Sequence, residues 1–360
     1  MSVGARSGAG GLLWKCAALL AVAAAPVAFN AVVDPARLLG APADEHAIAS
    51  ALLAGHFVTD IRSYNDRAIV KLLIEGRRGR PDVVALGSSR IQALRASAFP
   101  GLAFGNVGVT SARLDDILGL YAMFDTPARR PRRVILNLDA NTLDVDASGA
   151  AWMSLLPERS RMLEALGVTN SLARDVASRD VDMIKRLASP EYFRYAVFSL
   201  RKYGPRGITY TVTSGLSREE WTRTPEGSMA WPDWDAAYRE QAVRKYLSDF
   251  HETEGQLAMV NHAQVKEREQ LLERFIAYLR AEGVEVTLLL VPFHPVAYAG
   301  VSAQWLIPAE GRYRALARRL GVPIVGSYDP RVTGTTADDL SDEGHMKPAS
   351  LARVVRGEAR

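Results

Sequence analysis

The chain holds a single cysteine, Cys16, in 360 residues. No disulfide can form within one molecule, and no cysteine-based metal site can be built. Other metal signatures are missing too. There is no His-Glu-x-x-His, and His46, His56, His251 and His262 show no ligand spacing. The chain also lacks a Gly-rich phosphate loop and a Gly-x-Ser-x-Gly elbow. The missing elbow argues against the ordinary α/β-hydrolase fold. Charge of one sign is scarce: 44 Lys and Arg against 40 Asp and Glu leave a net +4. So small an excess does not argue for nucleic acid. The densest basic cluster is Arg129, Arg130, Arg132 and Arg133, just before a strand-like segment. It reads either as a solvated strand entry or as a surface for anionic lipid or polymer. Neither a metal nor a cofactor is expected.

What is present describes a globular protein. Hydrophobic residues make up 48% and charged residues 23%, which excludes a disordered chain. The length suits one large α/β domain with an insertion, or two small domains. Residues 16–33 are apolar except Asn30, close to the about 18 residues a spanning helix needs. Arg6 and Lys15 precede this run, which places residues 1–15 in the cytoplasm and the rest outside. Cleavage as a signal peptide is the competing reading, after Ala23-Ala24-Ala25. Pro26 would then be the first mature residue, a position that blocks the peptidase. An uncleaved anchor is therefore favoured. In a bacterium this means a single pass through the inner membrane, with the main domain in the periplasm.

Residues 34–80 read as a connection from the membrane to an α/β domain spanning 81–360. Strand-like runs occur at 83–86, 102–107 and 134–138, and again at 284–291 and 322–325. Helical periodicity lies between them at 111–121, 265–281 and 313–320, with Ser111 as the expected N-cap of the first. This alternation predicts a doubly wound, mostly parallel sheet. The stretch at about 150–255 breaks the rhythm. It carries Trp152, Tyr192, Phe193, Tyr195, Phe198, Tyr203, Tyr210, Trp221, Trp231 and Trp234 among helical segments. It reads as a helical insertion, a lid or cap, whose aromatics form local core or a binding platform.

The chemistry-bearing residues sit at strand ends. The run Val83-Val84-Ala85-Leu86 stops at Gly87-Ser88-Ser89-Arg90. Gly87 permits a tight turn, and the next residues are expected to open a helix whose N–H groups suit an oxyanion. A serine there would lie at the C-terminal edge of the sheet, where open α/β sheets bind ligands. Near the other end of the chain, Asp342 precedes His345 by three residues. A histidine is needed to take a serine proton, and a carboxylate to hold its tautomer. Gly108 follows the second strand and Asn141 the third. A backbone N–H and a side-chain amide at those places could complete an oxyanion hole. His294, after the strong strand at 284–291, would reach the same edge, either to contact substrate or as an ordinary loop residue. Arg90 would bind an anionic polymer or pack against the insertion. Asp139 could pair with a nearby arginine.

The order Ser, Gly, Asn, Asp-x-x-His resembles the SGNH/GDSL hydrolase superfamily. The resemblance covers about 83–145 and 284–350. It implies Ser89 as nucleophile, Gly108 and Asn141 as oxyanion donors, and Asp342 with His345 as the acid–base pair. Two departures stand out. Ser88 replaces the usual Asp, and Asp139-Ala140-Asn141-Thr142 replaces the usual Gly-x-Asn-Asp. Both are similar to the exported, membrane-anchored branch that includes DltD-like proteins and envelope polysaccharide O-acyltransferases. The resemblance implies serine-dependent transfer or hydrolysis of an O-acyl group, with a cell-envelope glycan or acyl donor as substrate. It also implies a membrane-bound O-acyltransferase as partner. Two other readings remain at this point. One is a non-catalytic glycan-binding or scaffolding protein of the same fold. The other is a membrane-proximal lipid or thioester hydrolase.

Overall fold

A computed structural model describes residues 8–34, 39, 43–62, 64–144, 154–168, 184–185, 187–203, 209–232, 234–257 and 262–358. The chain is a mixed α/β protein with a parallel sheet. In chain order the strands are β1 (Phe57–Arg62), β2 (Val83–Leu86), β3 (Phe104–Asn106), β4 (Arg133–Asn137), β5 (Thr209–Thr213), β6 (Thr222–Arg223), β7 (Met229–Ala230), β8 (Glu285–Leu290) and β9 (Ile324–Gly326). Five of them form the main sheet in the order β3-β2-β4-β8-β9, all parallel.

Period-2 alternation of apolar residues covers both faces of this sheet. Val84, Leu86, Val134, Leu136, Val286 and Leu288 face one core, packed beneath the helices Leu114–Ala122, His262–Ala281 and Ile307–Leu320. Val83, Ala85, Ile135 and Leu289 face the other, against Leu340, Met346 and the helix Pro348–Arg356. Each of these fully buried side chains contributes about 1.5–3 kcal/mol of transfer free energy. The order also sets where a ligand goes. From β2 the chain moves to β3 on one side, then returns to β4 on the other. The ends of β2 and β4 thus flank a reversal of strand order, where a crevice opens in such sheets.

The helix expected at 111–121 begins later, at Leu114. Ser111 does not cap it but adopts a left-handed backbone, with φ of 52°. Asp116 takes over, accepting from the Arg113 N–H at 2.9 Å. Its carboxylate also receives Arg67 Nε at 2.6 Å, and that contact pins the loop after β3 to the preceding segment. That segment is more than a connection. It builds the helix Ala43–Leu53, strand β1 and the helix Asp66–Gly76. Strand β1 pairs antiparallel with β5 and β6, so residues 57–62 and 209–230 share a second, four-stranded sheet. The insertion is therefore not purely helical. Trp152 lies outside the described residues, as do the side chains of Tyr195 and Tyr203.

One N-terminal helix, Gly8–Val33, is long and apolar enough to cross a membrane; its segment Leu13–Val33 has mean hydropathy 2.2. Residues 1–7 of the expected cytoplasmic stretch lie outside the described residues. Asn30, the polar residue in the apolar run, is buried and donates Nδ2 to the Leu187 carbonyl at 2.7 Å. Asp34 accepts from the Tyr192 hydroxyl at 2.6 Å, and Phe29 meets Phe193 with centroids 5.2 Å apart. The insertion helix Pro190–Tyr203 thus packs on the end of the apolar helix. Three arginines of the basic cluster are ion-paired, while Arg129 donates to the carbonyls of Ile74 and Glu75. Arg130 meets Asp125 and Glu282, Arg132 meets Asp82, and Arg133 meets Glu285.

Gly87 ends β2 with φ of 149°. A Cβ there would lie 2.7 Å from Asn137 Cβ and 2.8 Å from the Asn137 carbonyl oxygen. Gly87→Ala combines backbone strain with that clash, and a loss of about 2–4 kcal/mol is expected. Thermal unfolding of the full-length protein measures it; an unchanged midpoint would contradict this account of the turn.

Candidate active site

The turn after β2 separates the roles of its two serines. Ser88 is buried, and its Oγ donates to Asn137 Oδ1 at 3.1 Å while accepting from the Arg90 N–H at 3.1 Å. Ser88 N–H donates to the same Asn137 oxygen at 3.2 Å. Ser88 therefore caps the turn. Ser89 Oγ points the other way and meets His345 Nε2 at 2.8 Å. Where a helix was expected to open, Ser89–Ile91 forms a single 3-10 turn. Asn106 explains the stop. Its buried Nδ2 donates to the carbonyls of Ile91 at 2.9 Å and Leu94 at 3.0 Å, which a continuing helix would occupy. The dipole argument for an oxyanion thus lapses. The Ser89 N–H nevertheless makes no hydrogen bond among the described residues.

His345 arrives on a tight loop between Ser341 and Met346. Asp342 Oδ1 accepts from the N–H groups of Gly344 at 2.9 Å and His345 at 2.8 Å. Its Oδ2 lies 2.8 Å from His345 Nδ1. The three-residue spacing works because the carboxylate folds back on its own loop and so fixes the imidazole edge-on. Nδ1 carries the proton toward Asp342, which leaves Nε2 to accept from Ser89. Burial pulls the His345 pKa down, but the charge and hydrogen bond of Asp342 outweigh it, and the net direction is upward. Asp342 moves the opposite way. Burial raises it, the His345 charge and the three donors lower it, and the carboxyl lies below its usual range.

The expected oxyanion groups fare differently. Gly108 N–H is already committed, donating to Asn106 Oδ1 at 3.0 Å. Glycine is required there for another reason: a Cβ would lie 2.7 Å from Ile91 Cγ2 and 2.9 Å from the Ser88 carbonyl oxygen. Gly108 therefore supports the nucleophile turn from below, and as placed it offers no free donor. Asn141 follows β4 at the same sheet edge. Its backbone carbonyl accepts from Arg113 Nη1 at 2.6 Å, and its side-chain amide makes no hydrogen bond among the described residues. The Ser89 N–H and the Asn141 amide are the unengaged donors of the expected set.

Arg90 was expected to bind an anionic polymer or pack. Its guanidinium is buried and each of its three nitrogens donates within the chain, so in this structure it packs. Nε donates to the Gly344 carbonyl at 3.1 Å and Nη1 to Asp139 Oδ1 at 3.2 Å. Nη2 donates to the carbonyls of Val291 at 2.5 Å and Pro292 at 2.9 Å. The Phe293 ring lies beneath it, 3.7 Å from Cζ to centroid. Asp139 thus finds the arginine partner foreseen for it. His294 caps the short helix Pro295–Val301, its Nδ1 accepting from the Val296 N–H at 3.2 Å. Its backbone N–H donates to the Glu343 carbonyl at 2.9 Å, so it braces the base loop. Burial, then the Arg239 charge, lowers the His294 pKa.

Several neighbours were not foreseen. Asn106 and Asn137 shape the nucleophile turn from strand ends. Trp231 lies against the His345 ring, with centroids 4.8 Å apart and planes at 26°. Its position comes from the β6–β7 hairpin, which docks through Met229 N–H to the Gln92 carbonyl at 2.8 Å and Ser228 Oγ to the Leu94 carbonyl at 2.7 Å. Asp342, Glu343 and His345 place ligating atoms within 4.8 Å of one another, a spacing a cation could use. Both imidazole nitrogens are engaged within the chain, which fits a proton relay better than a ligand set. Two clefts open at the other edge of the sheet, one beside Arg77, Arg80 and Phe104, the other beside Arg133, Glu285 and Val322. Neither includes Ser89, Asp342 or His345.

Two outcomes test this geometry with p-nitrophenyl acetate. With neutral His345 as the base, kcat/KM is expected to fall as pH drops through a value above the ordinary imidazole pKa of about 6.5. Asp342→Asn removes the cause of the rise and shifts that limb downward; a limb already below about 6.5 in the native protein would contradict the assignment. Lysine cannot reproduce the fork of Arg90, so Arg90→Lys lowers kcat about 10- to 100-fold with little change in KM. An unchanged kcat would show that the clamp does not position the base loop. Compared with protein-family models and with curated proteins, the chain matches none.

Proposed function

We propose that the protein is a serine-dependent acyl-ester enzyme of SGNH type, built on a doubly wound sheet and anchored beside a membrane. The observation that carries this reading is the continuous relay Ser89 Oγ–His345 Nε2 at 2.8 Å and His345 Nδ1–Asp342 Oδ2 at 2.8 Å. Ser89 attacks an ester carbonyl while its proton passes to His345 Nε2. Asp342 stabilises the imidazolium. The Ser89 N–H and the Asn141 amide, both without a partner among the described residues, would receive the oxyanion. The tetrahedral intermediate collapses, the ester C–O bond breaks, and His345 returns the proton to the leaving alkoxide. Water or a sugar hydroxyl then attacks the acyl-serine, again with His345 as base, and Ser89 regains its proton.

The N-terminal apolar helix supports a place for this chemistry at an envelope membrane, with a cell-envelope glycan as the acyl donor or acceptor. A membrane-bound O-acyltransferase that supplies the acyl group would fit that setting. In a bacterium the domain would work in the periplasm. The relay needs no metal.

Full-length protein and three variants, assayed on p-nitrophenyl acetate, test the reading. Ser89→Ala is expected to lower turnover at least about 10³-fold, and His345→Ala similarly. Ser88→Ala, which removes the cap and one hydrogen bond to Asn137 but keeps the Ser88 N–H on the same oxygen, retains turnover within about tenfold. A chelator leaves the rate unchanged. Equal turnover by native protein and Ser89→Ala would overturn the catalytic reading in favour of a binding or scaffolding role.

A further inference from the structure

The insertion carries a strip of aromatic rings that starts at the catalytic histidine. Trp231 stacks on His345. Trp221 follows, 6.3 Å from Trp231 between centroids, and Trp234 lies 6.1 Å beyond Trp221. Tyr238 closes the series 4.5 Å from Trp234. A strip that served only as core would be covered. Here Trp221 is 45% and Tyr238 46% exposed, and both are large apolar side chains. Nothing in the fold of the described residues requires them at the surface. Burial of exposed aromatic area by a ligand is the force that would employ them.

Two further observations point to the kind of ligand. The Trp231 Nε1–H is buried and has no acceptor, an unmet donor at the point where the strip joins the relay. The outer part of the strip has a charged rim. Arg239 donates Nη1 to the Trp234 carbonyl at 3.4 Å, and its Nη2 approaches the exposed Asp338 at 3.8 Å. An acyl chain would favour an apolar groove without that rim. A pyranose ring matches it, because its C–H face stacks on an indole or phenol while its hydroxyls turn outward to donors and acceptors. The ring planes also turn along the strip, by 51° between Trp221 and Trp231 and by 65° between Trp221 and Trp234.

We propose that Trp231, Trp221, Trp234 and Tyr238 form a saccharide subsite that holds a glycan and delivers one of its oxygens to Ser89. This rests on the acyl-ester reading for its purpose, though not for its detection. The test is isothermal titration of the full-length Ser89→Ala protein in lipid nanodiscs, where binding is read without turnover. The probes are β-1,4-linked hexamers of glucose, N-acetylglucosamine and mannuronate, with sodium hexanoate as the apolar comparison. At least one hexamer is expected to bind. Trp221→Ala and Tyr238→Ala are each expected to weaken it about 5- to 10-fold, the scale of one lost aromatic contact. Tyr238 is exposed on a helix, so its replacement leaves the fold in place and reads the subsite alone. Failure of every hexamer to bind, or binding unchanged in both variants, would overturn the proposal. Binding of hexanoate without any hexamer would do the same and assign the strip to an acyl chain. A protein that turns over p-nitrophenyl acetate through Ser89 but binds no hexamer loses this subsite and keeps its catalytic reading. One that binds a hexamer without Ser89-dependent turnover does the reverse.

Discussion

The guanidinium of Arg90 holds together elements that are far apart in the chain. It sits one residue after Ser89 and bonds to the His345 loop at Gly344, to the end of β8 at Val291 and Pro292, and to Asp139 beyond β4. A buried charge is expensive to desolvate, and replacing such a group by apolar packing is often neutral or favourable for stability. Its value here is therefore geometric. A planar fork with fixed donors holds three strand ends and the His345 loop in one arrangement. The 2.8 Å contact between Ser89 and His345 spans 256 positions of sequence, and Arg90 bridges nearly the same separation one residue away.

That clamp works because the sheet topology has already delivered the pieces. The reversal of strand order sets the C-terminal ends of β2 and β4 at the place where open α/β sheets form their crevice. Asn137 and Asn106 then set the local shape. Asn137 receives both the N–H and the Oγ–H of Ser88 and so turns Ser89 outward. Asn106 gathers the carbonyls that follow and stops the helix after one turn. The insertion adds the last wall by laying Trp231 on the imidazole. Stacking and burial desolvate His345, while Asp342 keeps it basic, and the second effect prevails. A base held this way is oriented by the indole on its face and by the carboxylate on one edge, with the Nε2 edge open to the serine.

The parts legible in the sequence were those written locally. Strand-like apolar runs of four to eight residues mark the parallel strands, and an Asp three residues before a His marks a carboxylate folding onto its own loop. The choice between Ser88 and Ser89 was not local, since it depends on Asn137, 49 positions from Ser88. Gly108 shows the limit of reading by position. It occupies the expected place after β3, yet its N–H serves Asn106 and its missing Cβ serves packing. Ser111 looked like a cap, but Asp116 folding back three residues made the cap instead. The pairing of β1 with β5 and β6 was invisible because it joins residues about 150 positions apart with no pattern in either strand to match them. Nothing in the sequence around Trp231 marks the His345 ring it meets.

The central claim is that Ser89 is a nucleophile activated by His345. Labelling of the full-length protein with a fluorophosphonate, followed by peptide mapping, addresses it most directly. The account predicts one modified residue, Ser89, with labelling lost in His345→Ala and kept in Ser88→Ala. Absence of labelling in the folded protein, or labelling at Ser88 or elsewhere, would contradict it.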